Sequence, residues 1–168
     1  LPEEEIQSLI DRIVSRGGMV KNLHGQKNLY YQVNATYYSA LGESDEKMLL
    51  ARAIQMFMPG KPQVWYLDLF AGKNDHEAVR RAGESGHKEI NRTNLSTDQI
   101  AEDLKKDVVQ KQLALIRMRN THKAFSEGAE VAISGGERSL EIRWEYNSAF
   151  ATLYVNFESG TYTIVESR

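Results

Sequence analysis

Apolar side chains recur at every third or fourth position near the start of the chain, which is the spacing of one face of an α-helix. The members of this stripe are Ile6, Leu9, Ile10, Ile13 and Val14. Proline is favoured in a first helical turn and glycine at a helix end. The pattern therefore predicts a helix from about Pro2 to Arg16, which stops before Gly17–Gly18 and packs on one side only.

A second helix is predicted after Ser44, whose hydroxyl can cap a helix N-terminus. Its apolar residues cover nearly the whole circumference, which indicates burial on more than one side. Pro59–Gly60 ends this helix, and the apolar run from Gln63 to Phe70 then predicts a buried strand. The polar loop Ala71–Asp75 follows the carboxyl end of that strand, where α/β barrels carry their functional residues.

Residues 19–42 show no regular pattern and predict a long loop that contains four tyrosines between positions 30 and 38. Tyrosine offers an apolar body and a polar tip, which suits both sugar-binding surfaces and ordinary packing. Loops of this length in compact domains usually have a function. Packing and ligand binding therefore both remain open for these tyrosines.

Two short helices are predicted in the middle of the chain, at His76–Arg81 and from Ser96 or Thr97 to Lys106, and a longer helix is predicted at Asp107–Phe125. Asn74 and Asp75 are expected to cap the first of them.

After Gly128 the apolar period changes from that of a helix to the alternation typical of strands with one solvated face. Turn residues separate four predicted strands, at Glu130–Ser134, Ser139–Tyr146, Phe150–Phe157 and Thr161–Val165. A small antiparallel sheet at the C-terminal end is the natural interpretation.

Composition narrows the classes of function. The 168 residues carry a net charge of −2, which gives no electrostatic basis for binding nucleic acid or an anionic membrane. The absence of cysteine excludes disulfides and thiolate chemistry and fits a reducing cytoplasm. No apolar stretch is long enough to span a bilayer. His24, His76 and His122 lack the spacing of metal ligands, and no phosphate cradle or dinucleotide motif occurs, so we expect neither metal nor cofactor.

Several blocks, in this order and spacing, resemble the sucrose phosphorylase group of the α-amylase superfamily, glycoside hydrolase family 13. They are Leu1–Ile6, Tyr31–Gly42, Met58–Asp75 with its Ala-Gly-Lys-Asn-Asp ending, and Ile90–Arg92. The resemblance covers most of the chain. A complete barrel of this kind needs about 250 residues, and the chain begins without methionine. We therefore interpret it as the C-terminal portion of such an enzyme.

The resemblance implies an α/β fold in which residues 1–127 are the last part of a (β/α)8 barrel and residues 128–168 form a small antiparallel β domain. The first helix would be barrel helix seven, residues 19–42 part of an inserted loop region, and Gln63–Phe70 strand eight.

The family is implied to transfer a glucosyl unit by double displacement with retention, using an aspartate nucleophile and a glutamate acid/base. Phosphate then accepts the glucosyl unit and α-glucose 1-phosphate leaves. These carboxylates belong to barrel segments outside this chain. The chain is thus expected to contain no catalytic residue, to be inactive alone, and to need the N-terminal remainder of the barrel as its partner.

What the chain is implied to carry is part of the substrate-binding surface. Tyr31 and Gln32 fall on the acceptor-site loop of the family, with Asn28 just before them. The sequence departs from the family at Leu29, where sucrose-specific members have an aspartate that binds acceptor hydroxyls. Loss of such a group has a large effect on specificity in a buried polar site.

A second departure is Lys88, at the position of the family's glucose-holding arginine. Lysine keeps the charge and loses the planar fork, and the adjacent His87 is a candidate to share the contact. Asp68 is a further candidate for the substrate-binding surface. A carboxylate without a partner in an apolar strand costs free energy, so we expect Asp68 either to face the pocket or to pair with Lys73.

The expected substrates are an α-glucoside, with sucrose the leading candidate, and inorganic phosphate. Alternatives are a phosphorylase of glucosylglycerol, glucosylglycerate or sucrose 6′-phosphate, and a hydrolase of the same superfamily. A stand-alone carbohydrate-binding or scaffolding domain is the non-enzyme alternative. Self-association through exposed apolar faces is a further possibility, since large apolar patches rarely stay uncovered.

Overall fold

The computed structural model describes residues 2–22 and 30–167, leaving aside the side chains at positions 22, 30, 31, 84 and 85. The helices of these ranges are α1 (Glu3–Ser15), α2 (Tyr37–Ala40), α3 (Asp45–Phe57), α4 (Tyr66–Leu69), α5 (His76–Ala82), α6 (Thr97–Asp103) and α7 (Asp107–Thr121). Two 3₁₀ helices lie at Gly83–Asn91, which we name the 3₁₀ segment, and at Lys123–Phe125. The strands are β1 (Met19–Asn22), β2 (Tyr30–Asn34), β3 (Glu130–Gly136), β4 (Ser139–Tyr146), β5 (Ala149–Asn156) and β6 (Thr161–Glu166).

By the contacts between its residues, the chain divides into two compact units. The first unit comprises Leu1–Ser44 and Trp65–Lys105, and the second comprises Asp45–Val64 and Lys106–Arg168. The division at residue 128 that the sequence suggests is a different one, because α3 and α7 group here with the C-terminal strands. The assignment of residues 1–127 to a barrel stays a prediction.

The second unit is built on an antiparallel sheet of order β3-β4-β5-β6. Its strands match the four predicted ones within one or two residues. The alternation of Ile142 and Trp144 with Glu141, Arg143 and Glu145 places the apolar residues of β4 inward, as the sequence indicates. Together with α3 and α7 the sheet encloses one apolar cluster. Its buried members are Ala53, Met56, Phe57, Leu115, Ala124, Ile142, Trp144, Ala151, Leu153 and Val155.

The first unit contains α1 and an antiparallel hairpin of β1 and β2, which pairs Met19 with Asn34 and Lys21 with Gln32. The expectation of an irregular loop over residues 19–42 is therefore wrong for 19–22 and 30–34, which are strands, and for Tyr37–Ala40, which is helical. The two strands satisfy each other's backbone groups, and neither carries the long alternation that a sequence pattern needs.

The predicted strand from Gln63 to Phe70 is also wrong. Residues 63–65 carry no strand pairing, and α4 begins at Tyr66. The helix closes on itself, since the Gly72 N–H donates to the Leu67 carbonyl at 2.8 Å and Ala71 adopts φ 51°. This is a left-handed helix end, which uses carbonyls that a strand would have offered to a neighbour. A short apolar run cannot distinguish a strand from a helix by its period.

Candidate functional site

The hairpin positions Gln32, one of the predicted binding residues. Gln32 lies directly opposite Lys21 across the β1–β2 pair, so both side chains project from the same face. The Gln32 Oε1 atom is buried and has no hydrogen-bond partner among the described residues. A buried acceptor without a partner costs about 1–3 kcal/mol, so such an atom calls for an explanation. Binding of a hydroxyl from a ligand or another part of the protein would supply one.

His87 presents a second atom of this kind. It belongs to the 3₁₀ segment, which packs against both β1 and β2. Its Nε2 is buried and lacks a partner within residues 2–22 and 30–167. Burial, and then the charges of Lys21, Lys88 and Arg92, lower the pKa of His87 below its usual 6.5. The imidazole is therefore neutral at pH 7, where it can exchange one hydrogen bond at Nε2 with a sugar hydroxyl or a phosphoryl oxygen.

Lys88 follows His87 and is half-buried. Arg92 lies just beyond the 3₁₀ segment, with its guanidinium 3.9 Å from the carboxylate of Glu89. Together with Lys21 these side chains give the neighbourhood of His87 a positive potential. We name Lys21, Gln32, His87, Lys88 and Arg92 the basic cluster.

Asp68 has a different set of contacts. Its Oδ1 accepts a hydrogen bond from the Tyr37 backbone N–H at 2.8 Å, at the start of α2. Lys73, which the sequence suggested as an ion-pair partner of Asp68, pairs with Glu43, and their charged atoms lie 2.5 Å apart. The geometry thus gives Asp68 a role in holding the backbone, and its contact with substrate stays a prediction.

A buried polar network around Asn74 is a feature that the sequence did not reveal. Asn74 Oδ1 accepts from the Thr36 N–H at 2.7 Å, and the Asn74 N–H donates to Ser39 Oγ at 3.0 Å. Asp75 caps α5 as predicted, through the Ala78 N–H at 2.8 Å, but Asn74 does not. The only signal in the sequence was an asparagine beside the capping residue, which does not tell a cap from a tertiary contact.

Asn34, at the end of β2, is a further buried polar side chain of the first unit. It is 8% exposed, and its Nδ2 has no partner in the described ranges. The 3₁₀ segment that carries His87 and Lys88 contacts the strand that carries Gln32, and the binding roles of these residues stay predictions. Asn28 and His24 lie outside the described residues, as does the side chain of Tyr31.

Comparison with known proteins gives no match to a family model. A sucrose 6(F)-phosphate phosphorylase of Ilumatobacter coccineus is 52% identical over 98% of this chain and 32% of its own length. The crystal structure of a sucrose 6F-phosphate phosphorylase from Thermoanaerobacter thermosaccharolyticum superposes with a TM-score of 0.93 at 36% identity, over 100% of this chain and 34% of that one. The chain belongs to the sucrose phosphorylase group.

The resemblance found in the sequence is thereby confirmed: the chain corresponds to a part of the sucrose phosphorylases of glycoside hydrolase family 13. It spans about a third of the length of the relatives it matches. Another of them is a glucosylglycerol phosphorylase of Marinobacter adhaerens, 37% identical over 99% of this chain and 36% of its own length. The α/β fold with a C-terminal antiparallel sheet agrees with this membership.

Proposed function

We propose that this chain is the substrate-shaping part of an enzyme that transfers a glucosyl unit from an α-glucoside to inorganic phosphate with retention, forming α-glucose 1-phosphate. The relatives it matches support this, because proteins acting on sucrose, sucrose 6(F)-phosphate, glucosylglycerol and glucosylglycerate are all named phosphorylases. Sucrose is the leading candidate for the α-glucoside, and glucosylglycerol, glucosylglycerate and sucrose 6′-phosphate are the alternatives.

The single structural observation that carries the proposal is the pair of buried polar atoms without partners, Gln32 Oε1 and His87 Nε2, on elements that touch each other. Ligand hydroxyls or phosphoryl oxygens would satisfy both. In this proposal Gln32 accepts a hydrogen bond from a hydroxyl of the leaving group, with Tyr31 and Asn28 beside it. Lys88 and His87 hold the glucosyl unit from the other side.

The nucleophile and the acid/base would come from the remainder of the protein, so the chain alone is proposed to be inactive. Residues 1–127 would complete a (β/α)8 barrel with that remainder. The exposed apolar residues of α1 support this, since Ile6 and Leu9 are 41% and 54% exposed and an apolar stripe needs a cover. Without that cover the chain would self-associate. The proposed location is the cytoplasm, as the absence of cysteine led us to expect. No helix in the described part of the chain is long and apolar enough to cross a membrane.

The test uses the full-length protein that contains this chain. It is incubated with sucrose, sucrose 6′-phosphate, glucosylglycerol or glucosylglycerate, with and without phosphate, and glucose 1-phosphate and glucose are measured. We expect glucose 1-phosphate only when phosphate is present. Phosphate-independent release of glucose would instead identify a hydrolase.

The His87→Gln and Gln32→Ala variants then test the site, with Asn120→Ala as the matched control because its side chain is exposed on α7. Both site variants should lower kcat/KM by about tenfold, the effect of one or two lost hydrogen bonds to a buried ligand. Activity equal to that of the control would contradict the assigned roles.

A further inference from the structure

Residues 76–89, which we name the arm, begin and end at one point of the first unit. The arm contains α5 and most of the 3₁₀ segment, which pack against each other. It carries His87 and Lys88, which are proposed to hold the glucosyl unit. Its two ends meet because the Asp75 backbone N–H donates to the Ile90 carbonyl at 2.8 Å. The contacts at this base therefore help to set the position of the two side chains.

Asp75 uses both oxygens of its carboxylate at the base of the arm. Oδ1 accepts a hydrogen bond from the Ala78 N–H at 2.8 Å and caps α5, and Oδ2 accepts one from the Thr93 hydroxyl at 3.0 Å. These hydrogen bonds, first of all the one from Ala78, lower the pKa of Asp75 below its usual 3.8. The carboxylate is therefore ionised at pH 7 and can only accept, so the Thr93 hydroxyl is the donor. One side chain thus joins the start of the arm to the residues that follow its end.

Neighbouring side chains hold the same residues beyond the arm. The Tyr66 hydroxyl donates to the Thr93 carbonyl at 2.7 Å, and the Trp65 Nε1 donates to the Asn91 carbonyl at 3.0 Å. Asn91 Nδ2 in turn donates to the Ala35 carbonyl at 3.2 Å, directly after β2. The end of the arm is thereby tied both to the start of α4 and to the end of the hairpin.

We propose that Asp75 is a positioning residue whose hydrogen bond with Thr93 holds His87 and Lys88 where they bind the glucosyl unit. The inference rests on the proposed function, because it concerns how the same site is held in place. Both oxygens of Asp75 already accept hydrogen bonds within the chain, so the residue acts through the arm. A displacement of about 1 Å at a substrate site can slow a reaction by about 100-fold. One hydrogen bond at the base of the arm is therefore enough to affect activity.

Thr93→Val tests this hydrogen bond, since valine keeps the shape of threonine and leaves the Asp75 cap of α5 intact. In the full-length protein, kcat and KM are measured for the α-glucoside that the unaltered protein cleaves fastest, together with the melting temperature. We expect kcat/KM to fall about fivefold, the effect of one hydrogen bond. The fall should come mainly from a higher KM, because the arm holds the glucosyl unit in the ground state as well as in the transition state.

Two further variants at threonine positions complete this measurement. Thr93→Ser keeps a hydroxyl and should restore most of the loss. Thr121→Val is the matched control, because the Thr121 hydroxyl donates to the Arg117 carbonyl at 2.9 Å on the exposed side of α7. The control should leave kcat and KM unchanged.

Asp75→Ser approaches the same contact from its other side. Serine also caps helices, but its shorter side chain does not extend to Thr93. The protein that combines Asp75→Ser with Thr93→Val should therefore lose no more kcat/KM than either single variant, as expected for two residues that act through one contact. Losses that multiply in the combined variant would overturn the inference.

A purely structural role would lower the melting temperature of Thr93→Val and leave its kcat and KM unchanged, which would also overturn the inference. Phosphorolysis persists in both of these cases, and the proposed function stands. Absence of turnover of every α-glucoside by the unaltered protein would instead overturn the proposed function and this inference together.

Discussion

The two compact units bury different kinds of residue. The second unit encloses ten buried apolar side chains in one cluster between its sheet and helices. In the first unit the buried apolar residues are few and scattered, as with Ile10, Leu67 and Ile90, and they are accompanied by Asn34, Thr36 and Ser39. The second unit is stabilised mainly by the hydrophobic effect, which does not depend on the orientation of the groups in contact. The first unit depends more on hydrogen bonds, which form only at suitable distances and angles.

The difference extends to the polar atoms that have no partner. In the second unit, Arg52 and Arg119 each have such an atom. Arg52 donates through its Nε to Gln112 Oε1 at 2.8 Å, and the Arg119 guanidinium lies 4.2 Å from the ring centre of Trp144 and donates to the Gly60 carbonyl at 2.9 Å. Stacking on an aromatic ring compensates part of the desolvation of a cation. Gln32 and His87 in the first unit have no such compensation recorded in the described ranges. Buried polar atoms that lack such compensation therefore lie in the unit in which we place the substrate.

The largest expected effect is on the apolar cluster. Trp144→Ala removes a side chain that is 7% exposed and the hydrogen bond from its Nε1 to the Phe57 carbonyl at 2.6 Å. We expect a loss of about 3–5 kcal/mol in the free energy of unfolding, measured by urea denaturation of the full-length protein. Trp65→Ala is the matched change in the first unit, where the indole is half exposed and donates to the Asn91 carbonyl at 3.0 Å. Trp65→Ala should lower the free energy of unfolding by about 1 kcal/mol. Equal losses for the two variants would contradict the contrast between the units.

A smaller effect is expected in the polar network. Asn74→Ala deprives the Thr36 N–H of its acceptor, and Thr36 is 1% exposed. The buried donor is then unsatisfied, which should cost about 1–3 kcal/mol by the same denaturation measurement. The control Asn120→Ala removes a hydrogen bond on the surface of α7 and should change stability by less than about 0.5 kcal/mol. A neutral Asn74→Ala would show that the network contributes nothing to the first unit.

This contrast also explains which parts of the fold could be predicted from the sequence. The sheet of the second unit follows from local alternation, as in Leu140, Ile142 and Trp144, because each strand pairs with its neighbour in sequence. The run from Gln63 to Phe70 was misassigned because its conformation depends on a helix end at Ala71, which apolar content does not reveal. Local sequence patterns predict elements that are stabilised by contacts between residues close in sequence. They do not predict elements whose conformation depends on polar groups far away in sequence.

The candidate site divides in the same way. Gln32, His87 and Lys88 were identified through a family resemblance, and the structure places their elements in contact. The cross-strand positions of Lys21 and Asn34 could not be predicted, because they depend on the register of a hairpin whose two strands show no clear alternation. The register of the hairpin determines which residues face each other across the strands. Without a clear alternation in the sequence, that register can be seen only in the structure.

Asp68 offers a test at the scale of a single hydrogen bond. Asp68→Asn keeps an oxygen that can accept from the Tyr37 N–H, whereas Asp68→Ala removes it. We expect the alanine variant to lose about 1 kcal/mol of stability and the asparagine variant less, with phosphorolysis retained by the asparagine variant. If Asp68 binds substrate through its charge, the asparagine variant would lose activity at unchanged stability. That result would return Asp68 to the substrate-binding residues.

The smallest effect is the pH dependence contributed by His87. Its pKa is lowered by burial and by Lys21, Lys88 and Arg92, so the unfolded chain takes up a proton at higher pH than the folded one. The stabilisation is therefore complete above the unfolded pKa of about 6.5 and is lost as the pH falls towards the folded value. The melting temperature of the full-length protein should fall more steeply between pH 7 and pH 5 than that of His87→Gln, which cannot titrate at this position. Parallel curves for the two proteins would mean that His87 is as accessible to protons in the folded protein as in the unfolded chain, and the burial of Nε2 would then not describe the protein in solution.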